Sequence, residues 1–287
     1  MNRRWRVWLV FGIMLATAAF LVPGSSSAGG NGLTAAPAGT RAMWLWGNSP
    51  AAEVVNWAAL QNVSEIFVYV APKVLTNGDL ARLQQMRQRA GAKKITLQAL
   101  GGESSWTTDH AAALAWEKAV LTTGLFDGIH LDVEPYLTTG WSTDLQSTEK
   151  SFLTLLDKMR AASRLPIEAD VPFWYGEYQT GGRNLAGEVL NRVHAVTVMS
   201  YRDTADGPNS VLALSQDWLS RGTAAAKRVR LGVETGELGD CGYCTFYGDG
   251  AARLGRELAK VDAATRQSSA YAGIAVHRYV TWRALKP

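Results

Sequence analysis

Three ionisable side chains at alternate positions, His130, Asp132 and Glu134, form the segment of this sequence best suited to acid–base chemistry. They lie in the run FDGIHLDVEP (126–135), whose intervening positions are apolar. Successive side chains of a β-strand point to opposite faces, so the apolar residues would pack on one side and the ionisable groups would share the other. A carboxylic acid in a crowded, dry site has a raised pKa and can donate a proton. We therefore predict that Glu134 is a general acid/base and that Asp132 assists it.

Similar polar side chains are expected near the carboxyl ends of other predicted strands. Glu234 follows an apolar run and is the best candidate for a nucleophile. Tyr201 and Asp170 are candidate stabilisers of a positively charged transition state. Burying unpaired polar groups costs about 2–7 kcal/mol each, so filling a core with these side chains would be unusual. Glu65 and Arg230, lower in their strands, are instead expected to form an interior ion pair.

The elements that must position these residues alternate along the chain. Strand-like apolar runs lie at 41–46, 65–70, 94–99, 127–133, 166–171, 194–199, 229–233 and 272–277. Amphipathic or Ala-rich stretches separate them, at 50–61, 78–90, 109–123, 142–164, 184–192, 209–226 and 250–268. Parallel strands need crossover connections, so this order predicts an α/β fold, a single (β/α)8 TIM barrel over 41–287.

Two further points qualify the predicted barrel. A doubly wound open sheet is the alternative, but no Gly-rich phosphate loop follows the first strand. The chain ends soon after the eighth strand, so the last helix is expected to be missing or reduced to about one turn around 282–285.

The N-terminal residues resemble an export signal. A basic start precedes an apolar run at 7–22 and small residues at 26–28, which predicts a signal peptide over 1–28. An uncleaved membrane anchor is the alternative. Cleavage would remove Arg3, Arg4 and Arg6 and no acidic residue, so the net charge of +4 would become +1. We therefore expect a secreted monomer with no nucleic-acid partner and no membrane partner after cleavage, preceded by a linker at 29–40.

The two cysteines, Cys241 and Cys244, lie three positions apart in a Gly-rich segment. An exported chain favours a local disulfide that closes this loop. The alternatives are a redox pair, which is expected at the start of a helix, and a zinc site, which would need further ligands.

The segment 126–135 resembles the strand-four signature D-G-x-D-x-D-x-E of family 18 chitinase-like glycoside hydrolases. Asp127, Asp132 and Glu134 match this signature, and His130 replaces its middle Asp. Met199-Ser200-Tyr201 is similar to the strand-six M-x-Y of the same family, although Arg202 follows instead of Asp. The resemblance implies that Glu134 is the general acid and that Asp132 orients a substrate acetamido group, which attacks in place of an enzyme nucleophile.

A second resemblance is to the retaining barrel glycosidases that carry an acid/base Glu after strand four and a nucleophilic Glu after strand seven. Glu134-Pro135 and Glu234 occupy these positions, with Val133 in place of the usual Asn. The two interpretations differ in the group that acts with Glu134. Retention through an enzyme nucleophile requires carboxyl groups roughly 5–5.5 Å apart, whereas inversion requires about 6.5–9.5 Å.

Aromatic side chains near predicted strand ends are suited to sugar rings, because flat apolar rings with polar rims pack well on them. The predicted substrate-binding residues are Trp44, Trp46, Tyr69, Trp106, His130, Trp174, His277 and Trp282.

We expect a secreted glycoside hydrolase that acts on a polysaccharide or glycoconjugate without a cofactor or metal. Two alternatives remain open. A non-catalytic carbohydrate-binding barrel would use the same fold. A metal-dependent hydrolase would use His130, Asp132, Glu134 and His277 as ligands, although no H-E-x-x-H motif is present.

Overall fold

The computed structural model describes residues 32–287. The predicted signal peptide at 1–28 and the first residues of the predicted linker lie outside the described residues. Residues 32–40 contain neither helix nor strand. The Ala36 backbone N–H nevertheless donates to the Tyr271 carbonyl oxygen over 2.8 Å, so this segment lies against the amino end of the last barrel strand.

Eight parallel strands form a closed barrel in which each strand pairs with the next and the eighth pairs with the first. The strands are β1 (Arg41–Leu45), β2 (Val63–Tyr69), β3 (Thr96–Gly101), β4 (Gly128–Leu131), β5 (Ile167–Pro172), β6 (Ala195–Met199), β7 (Arg228–Glu234) and β8 (Tyr271–His277). The predicted (β/α)8 barrel is confirmed, and the open doubly wound sheet is excluded.

Helices connect the strands and surround the barrel. They are α1 (Ala51–Leu60), α2 (Leu80–Ala92), α3 (His110–Thr123), α4 (Thr139–Thr143), α5 (Leu145–Ala162), α6 (Leu185–Arg192), α7 (Val211–Ala225), α8 (Ala251–Thr265) and α9 (Tyr279–Arg283). The last helix has five residues, which confirms the prediction that it is reduced.

Local sequence explains where four of these helices begin. The side chains of the residues before α3, α5, α6 and α7 each accept a hydrogen bond from a backbone N–H in the first turn; they are Asp109, Asp144, Asn184 and Ser210. Asp, Asn and Ser are favoured there because the first N–H groups of a helix have no partner within the helix.

The alternation of β4 divides its side chains between two layers. Ile129 and Leu131 are buried in the main hydrophobic core, among residues of the surrounding helices. His130 is also buried, but its ring stacks on Phe67 of β2 with centroids 3.6 Å apart. Polar groups therefore face the barrel interior, as the alternating pattern predicts.

An ion cluster closes the amino end of the barrel. The Arg230 guanidinium on β7 contacts Glu65 on β2 and lies 3.0 Å from Glu168 on β5, and Gln98 donates to both carboxylates. Burial alone would raise the pKa of Glu168, but the positive charge of Arg230, with smaller contributions from His130 and Thr197, holds it at about 2. The predicted interior pair of Glu65 and Arg230 is confirmed.

Two smaller findings complete the fold. Cys241 and Cys244 form a disulfide with Cα atoms 5.3 Å apart, as predicted. Within residues 32–287, no helix has the length and apolar character needed to span a bilayer.

Candidate active site

The candidate site lies at the carboxyl ends of the barrel strands, where barrel active sites form. Asp132 and Glu134 follow β4 directly, Asp170 lies in β5 and Glu234 ends β7. Tyr201 follows β6 and experiences the charges of all four carboxyl groups. The barrel therefore brings together the five predicted catalytic residues, which are up to 102 positions apart in the sequence.

Glu134 is half-buried and has a raised pKa. Burial is the largest cause, and the negative charge of Asp170 adds to it. The Tyr136 phenol donates a hydrogen bond to Oε1 of Glu134, which acts in the opposite direction, as does His277. Burial also raises the pKa of Tyr136, so the phenol stays protonated. Glu134 thus combines a proton held more tightly than usual with a fixed hydrogen-bond donor on one oxygen.

Asp132 is half-buried and also has a pKa raised well above its usual value, because of its desolvation and of the charges of Asp170 and Glu134. The ends of β3 and β4 fix its backbone. Its N–H donates to the Gly101 carbonyl over 3.0 Å, and Gly102 packs directly against the Asp132 carbonyl group. Neighbouring like charges disfavour ionisation, so Asp132 holds its proton more tightly than an ordinary aspartic acid.

Asp170 is held from below by two aromatic residues. Trp44 Nε1 donates to Oδ2 over 3.0 Å, and His130 Nε2 lies 2.9 Å from Oδ1. Trp44, His130 and Asp170 are all buried. His130, which stands where the family 18 signature has Asp, is therefore part of the support of Asp170, and its ring is not exposed to a ligand.

Glu234 differs from Asp132 and Glu134 in having a lowered pKa. Burial by itself would raise its pKa, but hydrogen bonds from His277 and from the N–H groups of Gly236 and Thr235 lower it below its usual value. His277 Nδ1 lies 2.6 Å from Oε2. The backbone nitrogens of Thr235 and Gly236 lie 2.7 Å and 2.6 Å from Oε1, respectively. The Tyr201 ring stacks on His277 with centroids 6.1 Å apart.

Five aromatic side chains pack together in the segments after β4 and β5, and we call them the aromatic wall. Its members are Tyr136, Trp141, Trp174, Tyr175 and Tyr178. All except Tyr175 are partly exposed, and Tyr136 joins the wall to Glu134. Sequence reasoning did not single out Tyr178 or the hydrogen bond of Tyr136, although the position of Tyr136 two residues after Glu134 was a usable signal.

The tryptophans and the tyrosine predicted to bind substrate lie in four different places. Trp174 belongs to the aromatic wall, while Trp46 and Tyr69 form a second, partly exposed pair with ring centroids 5.5 Å apart. Trp44 lies beneath the site, only 1% exposed. The structure does not bring the other two tryptophans to the site, because their rings are buried against helical tryptophans: Trp106 on Trp116 and Trp282 on Trp57.

The histidines of the site lie beside carboxyl groups and not in a metal-binding cluster. Within residues 32–287, no group of three or more His, Cys, Asp or Glu side chains is arranged to hold a metal ion. His130 and His277 instead each pair with a carboxylate.

No protein-family model matches this chain, and no curated protein is similar enough in sequence to match it. Solved structures do match. A family GH18 chitinase from Pseudoalteromonas aurantia aligns at a TM-score of 0.54 and 14% identity, over 83% of this chain and 93% of that chain. The spore cortex-lytic enzyme SleL of Bacillus cereus aligns at a TM-score of 0.57 and 9% identity, over 88% and 74%.

A chitinase from Chromobacterium violaceum also aligns, at a TM-score of 0.50 and 15% identity over 69% of each chain. Identities this low establish a shared fold only. The chain therefore has the α/β barrel fold of the GH18 chitinases and of SleL, and its chemistry has to be argued from its own residues.

Proposed function

We propose that this protein is a secreted glycosidase that cleaves glycosidic bonds in a polysaccharide or glycoconjugate, with Glu134 as the general acid/base. One observation carries the proposal. Glu134 stands at the carboxyl end of β4 with a raised pKa, in a site that also contains Glu234, whose pKa is lowered by hydrogen bonds from His277, Gly236 and Thr235. A general acid requires a raised pKa, and its anionic partner requires a lowered one. Two carboxyl groups in environments that shift their pKa values in opposite directions meet both requirements.

In the proposed reaction, protonated Glu134 donates its proton to the oxygen of the leaving sugar as the glycosidic bond breaks. Positive charge then develops at the anomeric carbon. Glu234 is the group available to attack that carbon or to stabilise its charge. Water then attacks the anomeric carbon, displacing Glu234 if it is bonded there, and gives its proton to Glu134, which restores the acid. The buried Asp170 lies nearby. Tyr201 lies among these carboxyl groups and supplies a phenol hydrogen for the substrate.

Asp132 has a different role in the proposal. Because its pKa is raised whereas that of Glu234 is lowered, Asp132 keeps its proton, and can donate a hydrogen bond, to higher pH than Glu234. A protonated acid beside Glu134 is suited to orient a polar group of the sugar, such as an acetamido group. The partly exposed rings of the aromatic wall, which begin two residues after Glu134, would hold neighbouring sugar rings.

The sequence and the fold also bear on where the protein works. Secretion is inferred from the signal-like residues 1–28 and from the Cys241–Cys244 disulfide, since disulfides persist in oxidising compartments. A substrate outside the cell is consistent with both features.

The test is the release of reducing ends from a panel of polysaccharides by the wild type, by Glu134→Gln and by the matched control Glu53→Gln. Glu53 is an exposed glutamate of α1 in the outer helical layer. We expect Glu134→Gln to lower turnover by about 10²–10⁴-fold, the usual contribution of a general acid, and Glu53→Gln to leave turnover unchanged.

Full activity of Glu134→Gln would overturn the assignment of the acid. If the wild type binds glycans of the panel but cleaves none of them, the alternative of a carbohydrate-binding barrel would replace the glycosidase.

A further inference from the structure

The side chains of Trp46, His277 and Glu234 form a continuous hydrogen-bonded chain across three neighbouring strands. Trp46 follows β1, His277 ends β8 and Glu234 ends β7, and these strands are adjacent because the barrel closes between β8 and β1. Trp46 Nε1 lies 3.0 Å from His277 Nε2, and His277 Nδ1 lies 2.6 Å from Glu234 Oε2.

This geometry determines which ring nitrogen of His277 carries the proton. An indole N–H can only donate a hydrogen bond, so His277 Nε2 must accept from Trp46. The proton of the imidazole therefore resides on Nδ1, from which it is donated to the Glu234 carboxylate. A proton on Nε2 would place two donors 3.0 Å apart.

His130, which is buried whereas His277 is partly exposed, has the opposite arrangement. His130 Nε2 faces the Asp170 carboxylate at 2.9 Å, and its Nδ1 has no partner among the described residues. A carboxylate can only accept, so the His130 proton resides on Nε2. The two histidines therefore differ in tautomer because their neighbours differ in hydrogen-bonding capacity.

We propose that His277 is a positioning residue that ties the orientation of the Trp46 ring to that of the Glu234 carboxylate. Both oxygens of Glu234 are then held, Oε2 by His277 and Oε1 by the N–H groups of Thr235 and Gly236. Trp46 is partly exposed beside Tyr69, so its free face is a platform for a sugar ring. This last element rests on the proposed glycosidase function, whereas the hydrogen-bonded chain does not.

The first test requires no substrate. The chain has 4 histidines, so long-range proton–nitrogen correlation spectra can assign each ring. We expect His277 to be protonated on Nδ1 in the wild type. Trp46→Phe should remove the hydrogen bond at Nε2 and shift the Nε2 signal, while Nδ1 stays protonated because it still donates to Glu234. The control Trp57→Phe in α1 should leave the His277 signals unchanged. A wild-type His277 protonated on Nε2 would overturn the proposal.

The second test distinguishes the two hydrogen bonds of His277, the one with Glu234 and the one with Trp46. The side-chain amide of Asn at position 277 can replace Nδ1 as donor to Glu234, whereas that of Gln reaches toward the position of Nε2 and can accept from Trp46. The carboxyl of Glu234, followed by carbon NMR during a pH titration, should keep its low pKa in His277→Asn and titrate at higher pH in His277→Gln. Identical titrations in the two variants would contradict the positioning role, whether or not any glycan is cleaved.

Once a substrate that the protein cleaves is known, the two variants should affect different kinetic constants. His277→Gln should lower kcat by about 10- to 100-fold, the effect of losing one hydrogen bond to a charged group, with little change in KM. His277→Asn should mainly raise KM, because the Trp46 ring loses its anchor. Equal effects on kcat in both variants would count against the proposal, while an inactive wild type would refute only the glycosidase function.

Discussion

At the scale of single residues, two opposing influences determine how tightly Glu134 holds its proton. Burial and the charge of Asp170 raise the pKa of the carboxyl, and the Tyr136 hydrogen bond lowers it. The phenol also occupies Oε1, which leaves Oε2 as the oxygen that can present a proton to a leaving group. Tyr136 therefore influences both the pKa of Glu134 and the choice of the Glu134 oxygen that carries the proton.

Tyr136→Phe tests this balance. The ring and its packing in the aromatic wall are retained, but the hydrogen bond that lowers the pKa of Glu134 is lost, so that pKa should rise. A general acid is active while protonated, and the alkaline limb of kcat/KM against pH should therefore move to higher pH. Maximal turnover should fall by no more than about tenfold, since one hydrogen bond contributes about 1 kcal/mol.

The pH profile of glycan cleavage in the two proteins is the measurement for Tyr136→Phe. Tyr247→Phe is the control, because this exposed tyrosine lies outside the aromatic wall. An alkaline limb that stays in place would show that Tyr136 only contributes packing.

At the scale of elements, the close approach of two strand ends positions Asp132. A Cβ atom added to Gly102, directly after β3, would lie 2.1 Å from the Asp132 carbonyl oxygen. The clash would be with main-chain atoms of Asp132, which cannot move without displacing the end of β4 and Glu134 after it. The absence of a side chain at position 102 is therefore a condition for the geometry of the site.

Gly102→Ala should consequently impair both stability and activity. We expect the free energy of unfolding to fall by about 1–3 kcal/mol, as for an overpacked core position, and turnover to fall because Asp132 and Glu134 are displaced. Gly91→Ala is the matched control. Gly91 lies in α2 with no atom near the position of a Cβ, so alanine there should stabilise the protein by about 0.5–1 kcal/mol.

Urea unfolding curves and turnover of both glycine variants make this comparison. If Gly102→Ala kept wild-type stability and turnover, the close approach of the ends of β3 and β4 would not be a condition for the geometry of the site.

At the scale of the whole molecule, charges are divided between the two ends of the barrel. The carboxyl end holds acids whose pKa values are raised by burial and mutual repulsion, whereas the amino end holds Arg230 between Glu65 and Glu168. In the proposed function the first set transfers protons, whereas the second set is paired and is expected to stabilise the barrel. Barrel enzymes generally separate function and stability between their two ends in this way.

Arg230→Met should lower the free energy of unfolding at pH 7 by about 3–5 kcal/mol, because it leaves two buried carboxylates without their partner. The pH dependence has a defined sign. The pKa of Glu168 is about 2 in the fold against an ordinary value of 4.5, so its stabilising contribution is present above pH 4.5 and is lost as pH falls toward 2. The variant should lose less stability than the wild type over this range.

Chemical denaturation at several pH values measures both effects of the Arg230 substitution. In the control Arg253→Met, a partly exposed residue paired with Asp203 and Asp249, the change should stay below about 1 kcal/mol. Equal losses at the two arginines would show that the buried cluster contributes nothing beyond a surface pair.

Much of this molecule follows from local sequence. Alternation along 128–134 separated the side chains that pack against helices from those that face the interior, because strand geometry has a period of two. Helix starts at Asp109 and Asp144 followed from the hydrogen-bonding needs of first-turn N–H groups. The order of strands and helices then left the closed parallel barrel as the favoured arrangement, and placed Glu134 and Glu234 at its carboxyl end.

The partners of these residues were decided only by the tertiary structure. Trp46 and His277 are 231 positions apart, and Trp44 and Asp170 are 126 apart; nothing in either local sequence selects the other. Trp282 was expected at the site from its position after β8, but its ring turns into the helical layer against Trp57. Local periodicity determines which face of an element is apolar. Side-chain partners depend instead on how the closed barrel brings distant strands together. That closure created the surroundings that raise or lower the pKa values of the site.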